Sequence, residues 1–195
     1  MRKSNTLFLV EIAIFGAFAY LLDLLAGFLS LKIWAQGGSI SIAMVPVFIM
    51  AFRWGLKGGL LTGFILGLLQ IVTGQIFAVQ IIQVFLDYIV AFTVLGFAGL
   101  FAKKVVNSFK DNNTKDLVLY VTLASFLGVL LRFFAHYFAG IIFFRSLAPE
   151  GQPIEIYSLL YNGSFLLPSF ILSSILTVLL IKAVPNIFSV NRTAA

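Results

Sequence analysis

The residues able to recognise a solute fall into a few short stretches of an otherwise apolar chain. Gln80, Gln83 and Asp87 are spaced i, i+3, i+7, which on a helix makes one polar stripe. Arg132, His136, Gly140 and Phe144 follow one another four apart, again sharing a helical face. Tyr157, Tyr161 and Asn162 open the last apolar segment, and Trp34 stands in the loop after the first. Together these side chains offer flat faces on which a heteroaromatic ring can stack. They add a carboxylate that can oppose a cation or accept from an exocyclic amine, and an amide that can read a donor–acceptor edge. A cationic aromatic solute would gain both charge and cation–π contacts from such a set.

The elements that must position these residues are membrane spans. Of 195 residues, 61% are hydrophobic and only 10% are charged, and the mean hydropathy is +1.09. Soluble domains carry about a quarter charged residues, so lipid rather than water suits this surface. The apolar runs are too long and continuous for the alternating strands of a barrel. An all-α integral membrane protein is expected, with six transmembrane helices over about 7–29, 40–53, 57–73, 77–102, 117–143 and 157–183. The whole of 1–195 reads as a single transmembrane substrate-binding domain. Pro46 and Pro168 should bend the second and sixth helices. The segment Lys103–Asp116 reads as the one polar linker, with Asp111, Asn112 and Asn113 forming its turn.

Charge orients the bundle. With the N-terminus inside, ten basic residues fall on the inner side: Arg2, Lys3, Arg53, Lys57, Lys103, Lys104, Lys110, Lys115, Lys182 and Arg192. Only Lys32 and Arg145 fall on the outer side, so both termini are expected in the cytoplasm. This bias accounts for the net charge of +6 without nucleic acid. Asp87 then lies ~15 Å from the outer end of its helix, near the midplane. Arg132 comes to a similar depth, and His136 lies one turn nearer the outside. No cleavable leader is expected, because Arg2 and Lys3 precede an apolar run that no small-residue cleavage site clearly ends. Cysteine is absent, which excludes disulfide and thiol chemistry, and there is no GxxxxGK[ST] loop for ATP. The N-x-[ST] matches at Asn112, Asn162 and Asn191 carry almost no weight.

Each feature also has a plainer reading. Asp87 and Arg132 could neutralise each other as a structural ion pair, and His136 could be a satisfied core histidine. Trp34 and the tyrosines could belong to the interfacial aromatic belt. Gln80 and Gln83 could be interhelical glue. Chance, however, would scatter polar groups over both halves of the membrane, whereas these gather in the outer half from four segments. Gly55, Gly59, Gly63 and Gly67, four apart, make a face for close backbone approach. Packing inside the bundle is the simpler use of it, and a subunit contact the other. Ala13 and Ala17, beside Gly16, leave internal packing and partner docking equally open.

Taken together, Trp34, the stretch ISIAMVPVFIMAFRWGLKGG, the segments LDYIVAF (86–92) and RFFAHYFAG (132–140), and the Tyr157…Asn162 pair resemble the thiamine-specific S-component of energy-coupling factor (ECF) vitamin transporters. The resemblance covers essentially the whole chain. It implies a six-helix subunit of the bacterial plasma membrane that binds thiamine with high affinity near the outer surface. It further implies a transmembrane coupling protein and two ATPase subunits as partners, docked through Ala13 and Ala17. It places Trp34 and His136 around the thiazolium, with Asp87 as the counter-charge where the family commonly has Glu and Tyr88 supporting the site. Tyr157 and Asn162 would bond the aminopyrimidine, with Tyr157 preceding regular helix. Phe144 stands where a stacking Trp is expected. Gly140 would let the ligand approach backbone, and Arg132 would lie deeper in the pocket. The resemblance implies no cofactor and no metal.

Other functions compete. An S-component for riboflavin or biotin fits the fold, but the carboxylate and the stacking set favour a positive ligand. A stand-alone carrier of a cationic aromatic solute would work without ATPases. An enzyme ranks last: one His, no metal cluster and no nucleophile–base spacing leave little to catalyse with.

Overall fold

The computed structural model describes residues 2–29, 32–34, 37–77 and 80–188. Six helices dominate them: α1 (Arg2–Phe28), α2 (Met44–Trp54), α3 (Leu56–Val72), α4 (Ile81–Lys110), α5 (Thr114–Phe143) and α6 (Ile154–Ala183). Four of them, α1, α4, α5 and α6, are long and apolar enough to cross a membrane on their own. Helix α3, with 17 residues, reaches ~26 Å, a little short of a ~30 Å hydrocarbon core.

Helix α2 has 11 residues, and every one from Met44 to Phe52 is buried. It is a core helix, apolar all round because protein surrounds it. Met44, Phe48 and Phe52 are 0% exposed, at the centre of the hydrophobic core. Pro46 falls in the first turn of α2, where no intrahelical amide bond is lost, so it does not act as the expected bend. Pro168 lies inside the long helix α6. Conversely, α1 presents Leu9, Ile14, Phe18 and Leu21 outward, as a helix facing lipid would.

Several expected boundaries shift. The loop expected between the first two helices contains strands: β1 (Lys32–Trp34) and β2 (Gly37–Ser39) form an antiparallel hairpin, and α2 begins at Met44 rather than about 40. Gly38, at φ +71°, lies against the Phe165 ring, so the hairpin rests on α6. Helix α4 starts at Ile81 rather than 77 and continues through Lys110. The expected linker Lys103–Asp116 is therefore mostly helix. Only Asp111–Asn113 turn the chain, with Asn112 at φ 51° and the Asn113 side chain capping α5 by accepting from the Asp116 amide. Tyr157 does not precede its helix but sits one turn inside α6. Arg192 and Asn191 lie outside the described residues, as do the side chains of Arg2, Lys3, Lys32 and Trp34.

The glycine stripe of α3 faces α4. A Cβ on Gly59 would meet Gly96, one on Gly63 the Phe92 carbonyl, and one on Gly67 the Tyr88 carbonyl. Close approach of two backbones thus uses the stripe inside the molecule. Within α4, residues Phe85–Val90 form a π-helical turn and Val94–Phe101 a 3₁₀ stretch. The π turn carries Asp87 and Tyr88, and such turns recur at functional sites because they re-aim side chains.

Gly63→Ala forces a methyl into the Phe92 carbonyl, whereas nothing lies within 4 Å of a Cβ at Gly163. Gly63→Ala should cost roughly 1–3 kcal/mol by overpacking. Thermal unfolding in detergent should show a lowered midpoint for Gly63→Ala and an unchanged or slightly raised one for Gly163→Ala.

Candidate functional site

At the end of the bundle that carries the hairpin, a cavity of about 640 Å³ opens between the helices. Asp87, Tyr88, Arg132, His136, Gly140, Phe144, Tyr157 and Asn162 all line it. The side chain of Trp34, which ends β1, lies outside the described residues. Ala13 and Ala17 are not among its lining residues and are exposed on α1.

The centre of the cavity is a hydrogen-bonded relay. His136 Nδ1 lies 2.9 Å from Asp87 Oδ1, and the Arg132 Nε–H donates to His136 Nε2 at 3.2 Å. Since Nε2 accepts, the ring proton must sit on Nδ1 and be donated to the carboxylate, which leaves His136 neutral. Asp87 and Arg132 are thus joined through the imidazole rather than paired directly. Arg132 also lies over the Phe92 ring, 4.2 Å from its centroid. Phe92 and Phe165 meet the His136 ring edge-on, with centroids 6.5 and 6.2 Å away. Asp87, Arg132 and Asn162 are each at most 8% exposed.

The glutamines of the expected stripe separate. Gln80 is exposed just before α4, and Gln83 is buried with its amide near the Phe77 carbonyl, so only Asp87 reaches the cavity. The π turn that begins at Phe85 breaks the ideal spacing. Tyr88 supports the site by accepting the Phe77 amide at 2.7 Å, which holds the loop before α4. The Phe77 ring in turn stacks on Phe144, centroids 6.1 Å apart and planes 10° apart. The shorter aromatic at 144 is therefore half of a two-ring platform.

On α6, the Ser158 hydroxyl donates to the Tyr137 carbonyl, and Asn162 Nδ2 donates to the Ser158 carbonyl and hydroxyl. These bonds present the Asn162 carbonyl oxygen as its acceptor. Gly140 is where α6 comes close, since a Cβ there would strike the Ser158 hydroxyl. It thus serves helix packing while also lining the cavity. Tyr157 and Asn162 both border the cavity despite their five-residue spacing, because the space wraps around that side of α6.

Sequence reasoning missed the wall supplied by α1 and α3. Asp23 lines the cavity, and Gln70 Nε2 donates to its Oδ2 at 3.0 Å. Tyr20 donates to Thr73 Oγ1 at 2.8 Å, tying these two helices together. The available signal was an acid within the first apolar span. A second missed acid, Glu11, lies toward the opposite end of the bundle. It binds Arg53 through two bonds of 2.6 Å and accepts from the Trp54 indole at 2.6 Å. Arg53, expected as a loop cation, also donates to the Ile187 carbonyl. Intramembrane polar groups are thus not confined to one half.

The comparisons agree with one another. The family model described as Thiamine transporter protein (Thia_YuaJ) matches residues 9–189. The thiamine transporter ThiT of Bacillus subtilis strain 168 is 45% identical over 194 residues, 98% of this chain and 100% of that one. The thiamine transporter ThiT of Lacticaseibacillus paracasei is 26% identical over 92% of this chain and 89% of its own. Among solved structures, ThiT from Listeria monocytogenes superposes with a TM-score of 0.88 at 30% identity, covering 95% of this chain and 98% of that one.

Glu11→Ala removes the carboxylate that accepts from Arg53 and from the Trp54 N–H, which should cost roughly 2–3 kcal/mol. Thermal unfolding should show the loss, while the cavity at the other end keeps its ligand affinity.

Proposed function

We propose that this chain, which belongs to the thiamine transporter protein (Thia_YuaJ) family, is the high-affinity thiamine-binding subunit of an ECF-type importer. The family is one of transporters, and the chain is a multi-pass cell-membrane protein. The observation that carries the reading is the Asp87–His136–Arg132 relay set into an aromatic-walled cavity.

On this reading the six helices each cross the membrane, α2 only with its flanking segments, and both termini are cytoplasmic. Arg53, Lys57, Lys103, Lys104, Lys110, Lys115 and Lys182 support that orientation, because they fall away from the cavity end. The cavity then faces outward as one transmembrane substrate-binding domain. Asp87 offers Oδ2 to the thiazolium, its other oxygen being engaged by His136. His136 and Trp34 flank that ring, and Phe144 with Phe77 forms the stacking surface for the pyrimidine. The Asn162 carbonyl and Tyr157 receive the aminopyrimidine edge. Arg132 acts behind His136, holding its tautomer, rather than on the ligand.

Delivery needs energy from elsewhere, and we assign it to a separate transmembrane coupling protein with two ATPases. Ala13 and Ala17, small and exposed along the outer face of α1, suit close docking of a partner helix.

Calorimetric titration of the purified chain tests the ligand. Thiamine should bind, Asp87→Ala and His136→Ala should each weaken binding by roughly 10- to 100-fold, and Arg53→Ala should not. Absence of heat with the wild type would refute the substrate. Vesicles holding this chain alone should not accumulate thiamine, and accumulation would instead identify a stand-alone carrier.

A further inference from the structure

Two carboxylates, not one, face the cavity. Asp23 enters from α1 and Asp87 from α4. Asp23, of intermediate exposure, is held in place by Gln70, itself 4% exposed, which donates to its Oδ2 at 3.0 Å. Against these two acids the described residues lining the cavity supply one guanidinium, Arg132, which interacts electrostatically with both Asp23 and Asp87. His136 adds no charge, since its Nε2 accepts from Arg132 and its single proton goes to Asp87. With both carboxylates ionised, the described lining holds one negative charge in excess. Such a charge is costly in a low-dielectric surrounding unless a ligand neutralises it.

Resting on the proposed function above, we propose that Asp23 is a specificity-determining residue: it balances Arg132, so that the charge of Asp87 remains for a singly positive ligand. A monocation brings the cavity to neutrality. A neutral ring leaves the excess buried, and a phosphate ester of the same alcohol adds to it. Without Asp23, Arg132 and Asp87 would cancel and the cavity would lose its reason to prefer a cation.

The test uses the purified full chain and two probes, thiamine and an analogue in which a neutral thiophene replaces the thiazolium. Calorimetry measures the ratio of their affinities in wild type, Asp23→Asn, Asp23→Ser and Asp23→Glu. Removing the charge should lower the thiamine-over-analogue preference by at least about tenfold, as one charge within about 12 Å at an effective dielectric near 20 would do. Analogue affinity should hold, which also reports that the site is intact, and Asp23→Glu should restore the preference. An unchanged ratio in both neutral variants, or an equal loss of both probes, would overturn the inference and leave the thiamine reading standing. A wild type that binds neither probe would overturn both.

Discussion

An ionised side chain in hydrocarbon must find a partner, a dipole or water, and the cost of failing is several kcal/mol. That constraint organises this molecule. Asp87 meets it through the neutral imidazole of His136, and His136 through the Nε–H of Arg132. Arg132 meets it partly through the face of Phe92, 4.2 Å away. The relay leaves one face of the carboxylate toward a cavity, which is where a soluble cation can complete the pairing. A core built only for stability would have used apolar residues of the same volume instead.

The backbone is arranged to keep the relay in register. Glycines 59, 63 and 67 let α3 lie directly on the carbonyls and Cα atoms of α4; the contact at Gly67 falls on the π turn that holds Asp87 and Tyr88, and that at Gly63 just after it. Tyr88 then fixes the Phe77 amide, and Phe77 supports Phe144. On the other side, Gly140 admits Ser158, whose hydroxyl orders Asn162. Small residues therefore act at a distance: they decide where the recognising side chains stand without touching a ligand. At the far end, Glu11 gathers Arg53 and Trp54, so α1 is held to the α2–α3 corner as well as by Tyr20 and Thr73.

Much of this was legible as pattern. Long apolar runs announce α1, α4, α5 and α6, and the four-residue spacing of Arg132, His136 and Gly140 survives because α5 is regular there. That Asp87, Arg132, His136 and Asn162 share one cavity follows from reading intramembrane polar groups as functional. Asp23 carries the same signal, yet its companions Gln70 and Arg132 come from other helices, so no local spacing points to it. The hairpin at 32–39 is too short for a periodic signature, and its seat on Phe165 depends on a positive-φ Gly38. The π turn shifts Asp87 from its predicted register with Gln83, and Gln80 is extended backbone before the helix begins. Arg53 reads as a loop cation until α1 places Glu11 beside it. Tertiary contacts supplied what periodicity could not.

The central claim is that the carboxylate at the end of the relay is the counter-charge of a bound cationic ring. An experimental structure of the chain with thiamine tests it most directly. Density is expected in the cavity with the thiazolium against Asp87 and His136, the pyrimidine on the Phe77–Phe144 pair, and Arg132 still donating to His136. Thiamine seated elsewhere, or Asp87 paired directly with Arg132 while the thiazolium lies remote from both, would contradict it.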